Sequence, residues 1–235
     1  MPEHTLKQFD AELEAIRARV LQMGGLVEEQ IVRAMEALAT GKTQLAVRVV
    51  DDDHKVNGLE VAIDEECSTI IARHQPAAVD LRTLMMVVKT ITDLERIGDE
   101  AAKIARMTQL IYEADRPFVP RTNEIRHMAD IAVAMLRNSL DAFARLDLTL
   151  AAKVVRQDDR VDDAFRAILR QLITFMMEDP RTISHSIEIL FIVKAIERIG
   201  DHAKNMSEYV VYMVKGKDVR HTGPEGVERE ALTQH

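Results

Sequence analysis

Glu95-Arg96-Ile97-Gly98-Asp99 returns letter for letter as Glu197-Arg198-Ile199-Gly200-Asp201, each copy after a similar apolar run. Two copies of one device imply an internal duplication. Within a copy, Glu and Asp stand four apart, so on a helix both carboxylates project from one face. On a helical wheel centred on Ile91, residues Leu84, Val88, Leu94 and Gly98 fall within about 60° of the origin, and Glu95 falls there too. Glu95 is therefore expected inside the buried stripe, with Asp99 at its edge. Ser186, Leu190, Val193, Ile196 and Gly200 surround Glu197 in the same way. Carboxylates at a helical seam are disfavoured by desolvation and mutual repulsion unless positive charge satisfies them. Arg96 and Arg198 point about 100° away from their neighbouring Glu, which leaves a cation from outside the chain as a candidate partner.

The 235 residues can bury a large core, and with only six prolines and nine glycines among abundant Leu, Ala, Val, Ile, Met, Glu and Arg they read as all-helical. A formal net charge of −8 without a compact basic cluster argues against nucleic acid as a partner. Neither an apolar signal core nor an uncharged run of about 18 apolar residues is present, so a soluble, cytoplasmic protein is expected. The single cysteine, Cys67, excludes an internal disulfide and reads as a packing thiol.

Outward from the motif, the chain divides into helices of similar pattern. Thr5 is a plausible cap for a first helix running to about Gly41, with Gly24-Gly25 expected to weaken or bend it. Thr43 caps a second helix that stops before Pro76, and a third runs from about Val79 to Tyr112. Arg116-Pro117-Phe118-Val119-Pro120 breaks the chain. Thr122 caps a fourth helix, a fifth runs from about Thr149 to Met177, and a sixth starts near Ser184. Laying residues 30–60 over 135–165 pairs Leu45-Ala46 with Leu150-Ala151, Val49-Val50 with Val154-Val155 and Asp53 with Asp158, at an offset of 105. The pentads are offset by 102, which places a three-residue difference in the turn into the last helix. The expected fold is all-α: two tandem antiparallel three-helix bundles, six helices in all. The first unit is residues 1–116 and the second 117–216, with 217–235 read as a disordered tail from its Gly, Pro, Glu and His content.

The second helix of each unit carries further oxygens. Asp53, Asn57, Glu60 and Asp64 lie within about 40° of one another on a wheel. Asp158 and Asp162 keep that face in the second unit, while Phe165 and Leu169 replace its lower oxygens. If the second and third helices are antiparallel neighbours, these stripes meet the Glu-Asp pairs across the seam. Clustered hard oxygens suit Mg²⁺, Mn²⁺, Ca²⁺ or iron rather than a closed zinc site.

The twin pentads, the run Asp201-His202-Ala203-Lys204-Asn205-Met206-Ser207-Glu208, the Asp80-Leu81-Arg82 entry to the third helix and the duplicated layout together resemble the PhoU family over about residues 5–216. The resemblance implies a non-enzymatic cytoplasmic adaptor between the ATPase of a phosphate ABC transporter and a phosphate-sensing histidine kinase. Such an adaptor represses the phosphate-starvation response when phosphate is plentiful and meets the membrane only through its partners. A homo-oligomer, most simply a dimer, is expected. The resemblance further implies metal ions (Mg, Mn, Fe or Zn) at Glu95, Asp99, Glu197, Asp201, Asp158 and Asp162. Asp53 and Asn57 occupy the matching first-unit positions, where the Asn57 amide departs from the acidic pattern and is the weaker ligand.

Other readings of the same residues compete. The carboxylate pairs could be satisfied by Arg or Lys of a neighbouring helix, and Gly98 and Gly200 permit close helix approach. His54 and His202 read as neighbours of the acidic positions rather than ligands. Glu124 and His127 form only one of the two Glu-x-x-His pairs that a di-iron bundle needs. The runner-up function is a metal-dependent phosphohydrolase on the same clusters, but the sequence holds no phosphate loop, Gly-x-Ser-x-Gly or His-Glu-x-x-His.

Overall fold

The computed structural model describes residues 3–113 and 122–233, with the side chains of residues 3–6 and 122 left out. Long helices dominate: α1 (Glu3–Thr40), α2 (Thr43–His74), α3 (Ala78–Glu113), α4 (Thr122–Arg145), α5 (Leu148–Glu178), α6 (Ile183–Lys215) and α7 (Gly223–Leu232), with a 3₁₀ turn at Pro180–Thr182. The breaks follow local chemistry. Gln75 takes a left-handed conformation (φ 48°) ahead of Pro76, and its N–H bonds the Ile71 carbonyl. Asp147 caps α5 by accepting from the Leu150 N–H at 3.0 Å. Gly216, at φ 70°, ends α6 where a side chain would be strained. Thr43 is not a cap as expected; it is the first helical residue, and the cap is Lys42, which makes no side-chain cap bond. Thr5 lies inside α1 and Thr122 is already helical at the start of α4, so neither stands before its helix as a cap; the Arg116–Pro120 breaker and the boundary between residues 116 and 117 lie outside the described residues.

α1, α2 and α3 pack on one another as one bundle, and α4, α5 and α6 as a second. Each inner face is a mainly apolar stripe: Val20, Met23, Val27 and Ile31 of α1 are buried, as are Ile192, Val193, Ile196 and Ile199 of α6. Each such side chain contributes about 1.5–3 kcal/mol on leaving water. α3 also packs along α6, and α1 meets α4. Contacts from Arg82 to Met213, Asp93 to His202 and Glu100 to Arg198 show that α3 and α6 run antiparallel. Gly24 has a packing role rather than a weakening one: α1 continues through Gly24-Gly25, and a Cβ at Gly24 would stand 2.6 Å from both Leu140 methyls of α4. The three-residue offset is absorbed at the start of the third helix rather than in a shortened connection. The 3₁₀ turn led by Pro180 replaces a first helical turn that α3 possesses.

The tail reading is corrected by the structure. Residues 223–232 form α7, with Val227 and Ala231 buried and packed mainly on α5. Composition hid this helix because its apolar anchors are few. Spaced four apart, Val227 and Ala231 still make one stripe, and Glu228 and Glu230 pair with Arg156 and Lys217.

Candidate functional site

In the first bundle all three helices converge on Gly98. A Cβ there would lie 3.2 Å from Gln30 Oε1 of α1, 3.3 Å from Asp53 Oδ1 of α2 and 3.4 Å from Val56, so glycine is what lets these oxygens approach α3. Gln30 is buried, and its Oε1 has no hydrogen-bond partner while its Nε2 reaches Asp53 Oδ1 at 3.5 Å. Burial, and then the Asp99 charge, raises the Asp53 carboxyl above its ordinary range. Burial also raises Glu95, followed by Asp99, with Arg96 opposing and Glu60 and Asp53 adding to the rise. Glu95 is half-buried at the seam, Asp99 lies exposed at its edge, and Asn57 faces solvent. Among the described residues, no Lys or Arg forms a salt bridge with Asp53, Glu95 or Asp99.

The second bundle places the same motif differently. Asp158 is buried, and Lys204 Nζ lies 2.5 Å from its Oδ2. Glu197 receives Lys194 Nζ on both oxygens at 2.6 Å. Asp162 pairs with Arg166 at 3.2 Å. Burial raises Asp158 despite the Lys204 bond, while burial alone would lower Lys204 and Asp158 outweighs it. Asp201 is raised by burial, then by Glu197 and Asp158. A Cβ at Gly200 would meet the methyls of Val161, at 3.4 and 3.6 Å, rather than oxygens.

The two clusters are therefore alike in carboxylates and unlike in neutralisation. The first has hard oxygens that repel one another, plus an orphaned buried amide oxygen: these are the donor types a hard divalent cation takes, although Asp53, Glu95 and Asp99 are not drawn together as a preformed site. The second does not fit one equally well, because two lysines already supply the positive charge. Among the described residues, no three His, Cys, Asp or Glu side chains are arranged as a metal-holding group.

Several partners were not apparent from the sequence reading. Lys194 stands three residues before Glu197, a spacing that signals an intrahelical pair, but the Lys204–Asp158 bond crosses from α6 to α5. Arg198 does turn away from Glu197, and it lies 2.8 Å from Glu100 in the other bundle. His202 Nδ1 lies 2.6 Å from the buried Asp93 and so joins the bundles rather than facing the acidic cluster alone. His54 contacts the Asp51 carbonyl of its own helix at 2.5 Å.

A duplicated helical-bundle scaffold with paired acidic seams defines a class of all-α proteins built from tandem repeats. The chain belongs to the PhoU family: the PhoU domain profile matches residues 20–108 and 125–210. It is 47% identical over 231 residues, 98% of each chain, to a phosphate-specific transport system accessory protein PhoU homolog of Burkholderia sp. It is 44% identical over 227 residues, 97% of this chain and 93% of the other, to the phosphate-specific transport system accessory protein PhoU of Escherichia coli strain K12. The crystal structure of PhoU from Pseudomonas aeruginosa superposes with a TM-score of 0.85 at 46% identity, covering 89% of this chain and all of that one. The phosphate transport system regulatory protein PhoU from Streptococcus pneumoniae gives 0.83 at 28% identity, over 90% and 99% of the two chains. These relatives are named for an accessory or regulatory role. Among the described residues no helix is long and apolar enough to cross a membrane.

Proposed function

We propose that this chain is an accessory regulator of phosphate transport that works by contact with other proteins and represses the phosphate-starvation response when phosphate is abundant. The partners are the ATPase of the phosphate transporter and a sensor histidine kinase, and the regulator acts from the cytoplasm as a homodimer. Its near full-length identity to proteins named as phosphate-transport accessory proteins carries this reading. The first-bundle cluster of Asp53, Glu95 and Asp99 holds a divalent cation, with Gln30 Oε1 beside it. Bound there, the ion supplies the positive charge that Lys194 and Lys204 supply in the second bundle. That fixes the register of α2 against α3, and a partner that prefers the fixed arrangement reads the state. The assignment gives Glu197, Asp158 and Asp162 a structural ion-pair role with Lys194, Lys204 and Arg166, and leaves Asp201 and the exposed Asn57 outside the ligand set.

The test is genetic. Deleting the gene should leave a starvation-response reporter switched on in rich phosphate, and the intact gene supplied in trans should silence it. A reporter that stays silent in the deletion strain would overturn the regulatory reading. An Asp99→Asn gene should complement less well than an Asp201→Asn gene, and the reverse order would contradict the assignment of the cation to the first bundle.

A further inference from the structure

A cavity of about 420 Å³ lies where the start of α3 meets the end of α6, closed on one side by the stretch that leads into α7. Its wall includes Leu81, Arg82, Met85, Lys89, Tyr209 and Tyr212; it lies apart from the Asp53, Glu95 and Asp99 cluster, and its Glu208 feels Lys204 and Asp158 of the second seam. The volume falls within the range of small-molecule sites, about 300–1,000 Å³. Leu81 and Met85 are exposed, leaving apolar surface open on the wall.

Two cations face this space outside any salt bridge, and Lys89 lies near enough to Asp218 to help Arg220 lower its carboxyl. The Arg82 guanidinium lies 5.8 Å from the Tyr212 ring centre, and the Lys89 ammonium 5.7 Å from that of Tyr209. Among the described residues neither forms a salt bridge; Arg82 Nε donates to the Met213 carbonyl at 3.1 Å. The close passage of Arg82 requires Gly216, where a Cβ would stand 2.5 Å from the guanidinium. Two carboxyls, Asp218 and Glu208, also line the space. Asp218 is held by Arg220, whose Nε reaches it at 2.9 Å, and burial pushes the Glu208 carboxyl up to about 7.

The duplication provides an internal control. At the pentad offset of 102, Arg82 corresponds to Ser184, Lys89 to Phe191, Tyr209 to Met107 and Tyr212 to Leu110. The scaffold is thus built at its other end without either cation or either tyrosine, so the fold does not require them. They belong to this cavity.

We propose that this cavity binds a phosphate monoester carried on an apolar or ring-shaped body, with Arg82 and Lys89 holding the dianion and Leu81 and Met85 lying against the body. Arginine matches phosphate through its terminal N–H donors, and a dianion matches two cations that form no salt bridge. Nucleoside monophosphates have this chemistry at about the right size, and inorganic phosphate has only the charge.

Calorimetric titration of the full chain with the four 5′-ribonucleoside monophosphates, inorganic phosphate and adenosine tests the proposal. At least one monophosphate should saturate, binding tenfold or more tightly than either phosphate or adenosine. Lys89→Met should weaken that binding at least tenfold, Lys89→Arg should preserve it, and Glu208→Gln, which removes a competing negative charge, should tighten it. No saturation by any of the four at millimolar concentration would overturn the proposal. So would equal binding of inorganic phosphate, or affinity unchanged in Lys89→Met. Should Lys89→Met fail to fold, the Lys89→Arg and Glu208→Gln responses decide: lost binding in the first, or unchanged binding in the second, overturns it.

Discussion

Replacing Lys204 with Met should unmask what neutralises the second bundle. Methionine keeps most of the apolar stem but removes the ammonium that lies 2.5 Å from Asp158. The Asp158 side chain is only 9% exposed and the Lys204 side chain 30%, so the carboxylate is left buried while the lost cation was partly in water. Breaking a fully buried pair costs about 3–5 kcal/mol. Solvent at the lysine end reduces this to about 2–3 kcal/mol, a midpoint loss of roughly 5–10 °C for a chain of this size. Thermal unfolding followed by helical circular dichroism at pH 7.5 reads this directly. The loss should shrink toward pH 5, because a carboxyl with a raised folded-state pKa favours the folded chain when protonated and loses that contribution as pH rises. The double variant Asp158→Asn/Lys204→Met should recover most of the loss. A Lys204→Met midpoint equal to wild type, or a deficit equally large at pH 5, would refute the reasoning.

Three further outcomes follow from the same geometry. Glu208 is raised to about 7 in the folded protein, so its contribution is fully present below its unfolded value and lost as pH climbs through neutrality. Glu208→Gln should therefore be more stable to thermal unfolding than wild type at pH 8, by up to about 3 kcal/mol, and match it near pH 4.5. Gly24→Val places a Cβ 2.6 Å from the Leu140 methyls and should cost about 2 kcal/mol in chemical denaturation, a loss that Leu140→Ala partly relieves. Val227→Asp buries an unpaired charge under α7 and should make residues 223–232 exchange amide hydrogens rapidly while α1–α3 remain protected; unchanged exchange there would count against α7 as a packed element.

The six long helices were legible because apolar residues recur at helical spacing between clear breakers, and the duplication because the pentads and the Val49-Val50/Val154-Val155 pairs are unaltered. Glu95 at the seam and Asp99 at its edge followed from the wheel alone. What crosses between helices did not. Spacing along α6 says nothing of which α5 residue Lys204 reaches, nor that Arg198 turns to Glu100 and His202 to Asp93. Gln30 sits on α1, far in sequence from the motif it approaches, and only the absent side chain of Gly98 brings it there. α7 is hidden in the composition because ten residues with two buried anchors hardly alter it, and its ion pair with Arg156 comes from a distant helix.

The asymmetry between the two acidic seams is tested most directly by counting ions. Purified protein loaded with Mn²⁺ and passed through a desalting column should carry one ion per chain by elemental analysis. Asp99→Asn should abolish that binding, and Asp201→Asn should leave it intact. Two ions per chain, or a single ion lost with Asp201→Asn and kept with Asp99→Asn, would contradict the account.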